Sequence, residues 1–563
     1  MLQEQIDNIK ITELKINRII NNIETKIKEL SEEKNTKTQI TLIDYINKER
    51  NKYITYYWAS YIGYLKNIKD EKYITSEKIM AKYEGKYNNA VYKLFEVIDS
   101  LTEKEHIIKK YGKRFTDLAH NQKILLSSSP ELFEEELSLR KEYRKLLYSI
   151  TIDFNNEQLS LVKLNKYLQV DDEQLRKEAY DKRYEALLKI SDNLKCIFNK
   201  LITVRQQIAE STKTLNYTNY GFIKMNRIDY TKEDLKIFKE SVQKYFVPLY
   251  EKLKENQAKR LGEEKLSYYN ASYLFKDGNA KAKYDIKGII KELELILADI
   301  NEEYSKLFKM MISNGLIDLE ERENKSAGGI TTFLPELKVP VFIKRYMDNS
   351  QSFISITHEF GHSLQLYLNK DKKLHENRWP TFDICEIHST TMELLISDYV
   401  EKIYSSDAKK HLLTHYTNLI ETLIRTCAVD DFQTTIYEQD STSLKNINEI
   451  WKTIYKKYYP SNNYKIEYFD KGIMWQTDIN RIDDPFYGID YALATIYALS
   501  FYQKYQQDKT KGINTFTNFC KDGGEISFKE IATKYNLLSP FNECDIKALA
   551  DILNKKIEKT CKY

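Results

Sequence analysis

Helix breakers are scarce in this sequence. Its 563 residues include 8 prolines and 16 glycines, and no proline precedes Pro130. With so little to interrupt it, and with Lys, Glu, Leu and Ile abundant, the chain favours long helices. Cysteine is sparse too: Cys196, Cys385, Cys427, Cys520, Cys544 and Cys561 lie far apart and form no Cys-x-x-Cys pair. In a chain this long they read as reduced thiols of an intracellular protein, not as a disulfide framework. No apolar run approaches the length of a membrane span. The start, MLQEQIDNIKITELK, lacks a basic region followed by an apolar stretch, so no secretory signal is expected. An excess of one charge is also missing. The 87 basic and 83 acidic side chains leave a net charge of +4, which gives no reason to expect nucleic acid or an anionic membrane as partner. The expected location is the cytoplasm; oligomeric state is not legible.

What is present suits a soluble globular protein, with 42% hydrophobic and 30% charged residues. The length exceeds what one compact core supports, so two or more lobes are expected. Near the N-terminus Ile16, Ile20, Ile23, Ile27 and Leu30 form one apolar stripe at helical spacing, which SEEKNTKT ends. Amphipathic helices with short polar breaks continue to about residue 180, without a fixed period that would indicate a solenoid. We therefore expect an N-terminal helical lobe over 1–180 and a second domain over 181–563. The segment KSAGGITTFLPELKVPVFI, with its Gly-Gly pair and β-branched residues, is the best candidate for strands. A further breaker cluster, DDPFYGIDY, interrupts the helical C-terminal part at 483–491. The expected architecture is mostly α, with a small β-sheet beside the segment described next.

Two of the eight histidines sit four residues apart in SITHEFGHSLQLYL. On a helix, positions i and i+4 share a face, so His358 and His362 can hold one ion. Ile356, Phe360, Leu364 and Tyr367 supply an apolar face turned away from them. Glu359, beside the ion, is placed to take a proton from water. A chance match of this kind is expected in about one such chain in a hundred. A catalytic zinc with two histidines wants a third protein ligand, often a carboxylate. After HENRWPTFD breaks the chain, a second helix resumes at ICEIHSTTMELLISDYV, with Glu386 on its first turn. Two antiparallel helices joined by such a loop would bring Glu386 to the metal. Glu393, seven residues on, shares its face and could hydrogen-bond a ligating histidine. His388 points to the other side and reads as a packing or hydrogen-bonding residue.

These motifs resemble the thimet oligopeptidase and oligoendopeptidase F group of zinc metallopeptidases. The resemblance rests on THEFGHSLQ followed by PTFDICEIHSTTMELL, on GLIDLEERENKSAGGITTFLP, and on WQTDINRIDDPFYGIDYALATIYAL. Weaker similarity runs through LNKYLQVDDEQLRKEAY and GFIKMNRIDYTKEDLKIF, so it covers nearly the whole chain. It implies a two-lobed, helical, zincin-like fold with a deep central channel that admits only short peptides. It also implies that residues 326–334, around Gly328 and Gly329, provide a strand whose backbone pairs with substrate. Tyr487 and Tyr491 match the family's tyrosines, which donate to the oxyanion. One departure stands out: the family's histidine five residues after Trp475 is replaced by Asn480, and no histidine follows His415. An asparagine N–H can still donate to an oxyanion but carries no titratable charge.

Taken together, the expectation is a zinc-dependent endopeptidase acting on oligopeptides. One Zn²⁺ per chain would be held by His358, His362 and Glu386. Glu359 would serve as general base, with Tyr487, Tyr491 and Asn480 as candidate oxyanion donors. Two alternatives stay open: a pseudo-peptidase that binds zinc and peptides with weak or no turnover, and a helical scaffold whose His-Glu-x-x-His is accidental.

Overall fold

The computed structural model describes residues 2–125, 127–326, 329–347, 349–439, 446–462 and 464–561. It is mostly helical and divides into two compact units, each gathered from three stretches of chain. Met1–Lys123, Lys281–Ala408 and Tyr497–Leu537 form the first unit. Ile124–Ala280, Lys409–Ile496 and Leu538–Tyr563 form the second. The division expected at residue 180 falls inside the helix Glu173–Ser211. Local composition carries no mark of where a helical chain leaves one unit for the other.

The first unit opens with helices α1 (Glu13–Glu32), α2 (Thr36–Lys66) and α3 (Glu71–Ser100). Thr12 and Asn35 cap the first two through their side-chain oxygens. The apolar stripe read from the sequence is buried throughout: Ile16, Ile20, Ile23 and Leu30 are fully enclosed and Ile27 nearly so. It packs with Ile43, Ile46, Leu94 and Ile98 into one core that also takes in Leu374. Each such side chain contributes about 1.5–3 kcal/mol by leaving water.

The strand-rich segment forms the expected small sheet. Strands β1 (Ile317–Asp318), β2 (Ile330–Leu334) and β3 (Val339–Ile343) are ordered β1-β3-β2, which leaves β2 at an edge. β2 and β3 pair antiparallel, from Ile330 opposite Ile343 to Leu334 opposite Val339. Helix α4 (Ser350–Leu368) packs on both strands and against helix α5 (Phe382–Ser397). The loop between α4 and α5, expected as a plain break, contains a short helix, His375–Arg378.

The second unit is built on long helices, among them Pro130–Tyr148 and Glu173–Ser211. Fully buried Arg205 ties them together, donating to Glu136 Oε1 at 2.8 Å, to the Tyr437 hydroxyl at 2.8 Å, and to the Ile482 carbonyl. Within the stretch expected to be helical lies a hairpin, Thr151–Phe154 paired with Glu157–Ser160. Its turn is Asn155-Asn156, with φ values of 51° and 61°. Asn tolerates the left-handed region, so that pair was the signal for a two-residue hairpin turn. Among the described residues no helix is long and apolar enough to cross a membrane.

Candidate metal centre

α4 starts where Asn349 caps it, its side chain accepting from Ser352 N at 2.9 Å. Ile356, Phe360 and Leu364 are buried as expected, Tyr367 only partly. α5 begins at Phe382, two residues before the expected start, so Glu386 falls in its second turn. That helix is buried almost all round, not along one side: Asp383, Glu386, His388 and Thr391 are as enclosed as Ile387 and Leu394.

The two helices meet antiparallel, since His358 faces Glu393 while His362 faces Glu386. Their backbones approach closely because residue 361 is glycine. A Cβ there would lie 2.6 Å from both the His388 carbonyl oxygen and Ser389 Cα. Van der Waals contact forbids that spacing, so the absence of a side chain sets how near Glu386 can come.

Glu386 Oε2 lies 3.2 Å from His358 Nε2 and 3.6 Å from His362 Nε2. Among the described residues these three form the one grouping whose ligand atoms all lie within 4.8 Å of one another. A tetrahedral ion with bonds of about 2.0–2.1 Å separates its donors by about 3.3 Å, and two imidazoles with one carboxylate are a catalytic zinc set. The residues fit zinc. His358 Nδ1, on the far side of the ring, meets Glu393 Oε1 at 2.6 Å. That bond fixes the ring orientation and leaves Nε2 for a ligand. Ser389 donates to Glu386 Oε2 at 3.0 Å.

Burial works against the charged form of His358, but hydrogen bonds with Glu386 and Glu393 outweigh it and hold its imidazole above the ordinary value. His362 goes the other way, pushed down mainly by burial. Burial alone would raise the Glu386 carboxyl; His362, His358 and the Ser389 hydroxyl hold it down. Burial likewise opposes ionisation of Glu359, yet His358, His362, Lys344 and the Thr331 hydroxyl keep it below the usual carboxylate value. His388 stacks on Phe519, with ring centroids 4.5 Å apart and planes 9° apart, and burial pushes its pKa down to about 3.

Three contacts escaped sequence reasoning: Ser389 on Glu386, and Thr331 and Lys344 on Glu359. Ser389, three residues after Glu386 on a helix, could have been found from spacing. The remaining expected residues are placed as follows. Gly328 lies outside the described residues, and Gly329 sits immediately before β2. In the second unit Asn480 is exposed on the short helix Ile479–Asp483. The Tyr487 and Tyr491 hydroxyls meet at 2.6 Å. Their loop is pinned by Arg227, which donates to the Phe486 carbonyl at 2.7 Å, and by Gln433, which accepts from Phe486 N at 3.0 Å.

Two histidines and a glutamate with converging donor atoms, and a second carboxylate, Glu359, beside them on two close helices next to a small sheet, are the residue set of a metallopeptidase site. A model of Peptidase family M3 matches residues 166–550. The chain belongs to that family and is a metallo-oligopeptidase, with peptides as substrates. An oligoendopeptidase F homolog of Borreliella burgdorferi is 23% identical over 431 residues, spanning 72% of this chain and 70% of its own. The solved structure of PZ peptidase A with inhibitor 2 is similar at a TM-score of 0.89 and 27% identity, covering 98% of this chain and 99% of that one.

Proposed function

We propose that this metallo-oligopeptidase is a zinc-dependent endopeptidase of the oligoendopeptidase F type. His358, His362 and Glu386 would hold one Zn²⁺. The observation that carries this is the spacing of their donors, with Glu393 orienting His358 from behind. When bound, zinc supplies a Lewis acid that polarises the scissile carbonyl and lowers the pKa of water.

The chain's own residues do the rest. The Glu359 carboxylate, ionised at neutral pH, accepts the proton of the attacking water and returns it to the leaving amine. β2 lies at the sheet edge, which suits it to align a peptide backbone near Gly329. Tyr487, Tyr491 and Asn480 are assigned as oxyanion donors on the family resemblance of their segment. Removing one such donor typically costs about a hundred- to a thousandfold in rate. A cytoplasmic location belongs to the same reading.

The test is a turnover assay on a quenched fluorescent peptide, alongside metal analysis. Glu359→Gln should keep its zinc and lose cleavage. A metal-loaded Glu359→Gln that cleaves at the wild-type rate contradicts the mechanism. A wild type that binds peptide without cleaving it returns the reading to the pseudo-peptidase.

A further inference from the structure

A glutamate side chain has a broad, soft terminal torsion, so a general base on one needs something to fix its carboxylate plane. Both oxygens of Glu359 are contacted from the neighbouring sheet. Thr331, the second residue of β2, donates its hydroxyl to Glu359 Oε2 at 2.5 Å. Lys344, immediately after β3, brings its ammonium to the other oxygen, Oε1, at 3.5 Å. The same ammonium donates to Ser355 Oγ, one helical turn before Glu359 on α4, which fixes where the charge sits. Thr331 pairs with Phe342 across the sheet, so both contacts descend from one stretch of β-ladder.

The path of Lys344 is equally specific. Its stem crosses the backbone of Gly329, where a Cβ would lie 3.1 Å from Lys344 Cγ and 3.2 Å from Cδ. The Ile343 carbonyl oxygen would lie equally near, at 3.2 Å, so an alanine at 329 would require the lysine stem to give by a few tenths of an ångström.

We propose that Thr331 and Lys344 are positioning residues that grip the Glu359 carboxylate, one oxygen each. The grip holds the carboxylate at one angle toward the attacking water; a base that swings freely loses the alignment on which proton transfer depends. This rests on the reading of Glu359 as general base.

The test compares Thr331→Val, Thr331→Ser and Lys344→Met, with Glu359→Gln as reference. Thr331→Val removes the hydroxyl at nearly constant volume. It is expected to lower kcat about 10- to 100-fold with KM within about twofold. Zinc content should stay at the wild-type value, and the variant should remain folded by circular dichroism under assay conditions. Thr331→Ser restores the donor and should retain kcat within about threefold. Lys344→Met should lower kcat in the same way, and because it alters a partly exposed side chain its folding is not at issue. Since both residues act through one carboxylate, the double variant should lose less than the product of the single losses.

Wild-type kcat in Thr331→Val, an equal loss in Thr331→Ser, losses confined to KM, or fully multiplicative losses would each overturn the grip. Full activity in Glu359→Gln overturns the general-base reading itself. An inactive Glu359→Gln beside unimpaired Thr331→Val and Lys344→Met overturns only the grip.

Discussion

Between the two metal-motif helices, the short helix His375–Arg378 is anchored to the N-terminal helices by one buried ion pair. Arg50 of α2 forks onto Glu376, with Nη2 2.5 Å from Oε1 and Nη1 3.3 Å from Oε2. Their side chains are only 4% and 10% exposed. Asn47 accepts from the same guanidinium at 2.7 Å, and Arg114 donates to the Glu376 carbonyl at 2.8 Å. Burial would raise the Glu376 carboxyl; the Arg50 charge and hydrogen bonds outweigh it, with help from His375, and bring it from 4.5 to about 2. That depression corresponds to about 3 kcal/mol favouring the ionised, folded form. Removing one partner of a buried pair costs about 3–5 kcal/mol, a consistent scale. Because the folded value is depressed, the contribution is present above about pH 4.5 and is lost as pH falls toward about 2. Glu376→Gln should therefore lower stability by about 3 kcal/mol near neutral pH, read from urea unfolding of the full chain by circular dichroism. Its deficit relative to wild type should shrink on acidification through that window. Arg50→Met combined with Glu376→Leu should recover most of the loss, since an apolar pair leaves no buried charge unmatched. A deficit below about 1 kcal/mol at neutral pH, or one that does not shrink on acidification, refutes the reasoning.

Other outcomes follow from the metal-motif helices and the second unit. Glu393→Gln weakens the bond that orients His358 and should reduce zinc affinity about 10- to 100-fold in a chelator competition, with the fold intact by circular dichroism. Gly361→Ala drives a methyl group into the backbone of α5. It should lower stability by overpacking, about 1–3 kcal/mol, and weaken zinc binding in the same titration. Asn480→His should raise turnover and add a titration near neutral pH to the rate profile; no change in either removes Asn480 from the proposed donors.

Much of the first unit could be read from local spacing. The Ile16-to-Leu30 stripe, the α4 helix with its two histidines, and Glu386 all depend on i, i+3 and i+4 periodicity, which a helix writes directly into sequence. The β2–β3 hairpin was legible for the complementary reason, its glycines, prolines and β-branched residues standing out against helical sequence. The grip on Glu359 was not legible. Thr331 and Glu359 are 28 residues apart and belong to different elements, and their meeting depends on how the sheet packs on α4. The interleaving of the two units escaped for a similar reason, since it is written only in long-range packing. The hairpin at Thr151–Ser160 differs: Asn155-Asn156 carries a local turn signal, which strongly helical neighbours on both sides mask.

The most direct test of the central claim is the zinc content of purified wild type and of Glu386→Ala, measured per chain under identical dialysis. The account predicts one zinc in the wild type and little or none once the third donor is removed from the His358–His362 pair. A wild type free of metal, or a Glu386→Ala variant that holds zinc as firmly as the wild type, would contradict it.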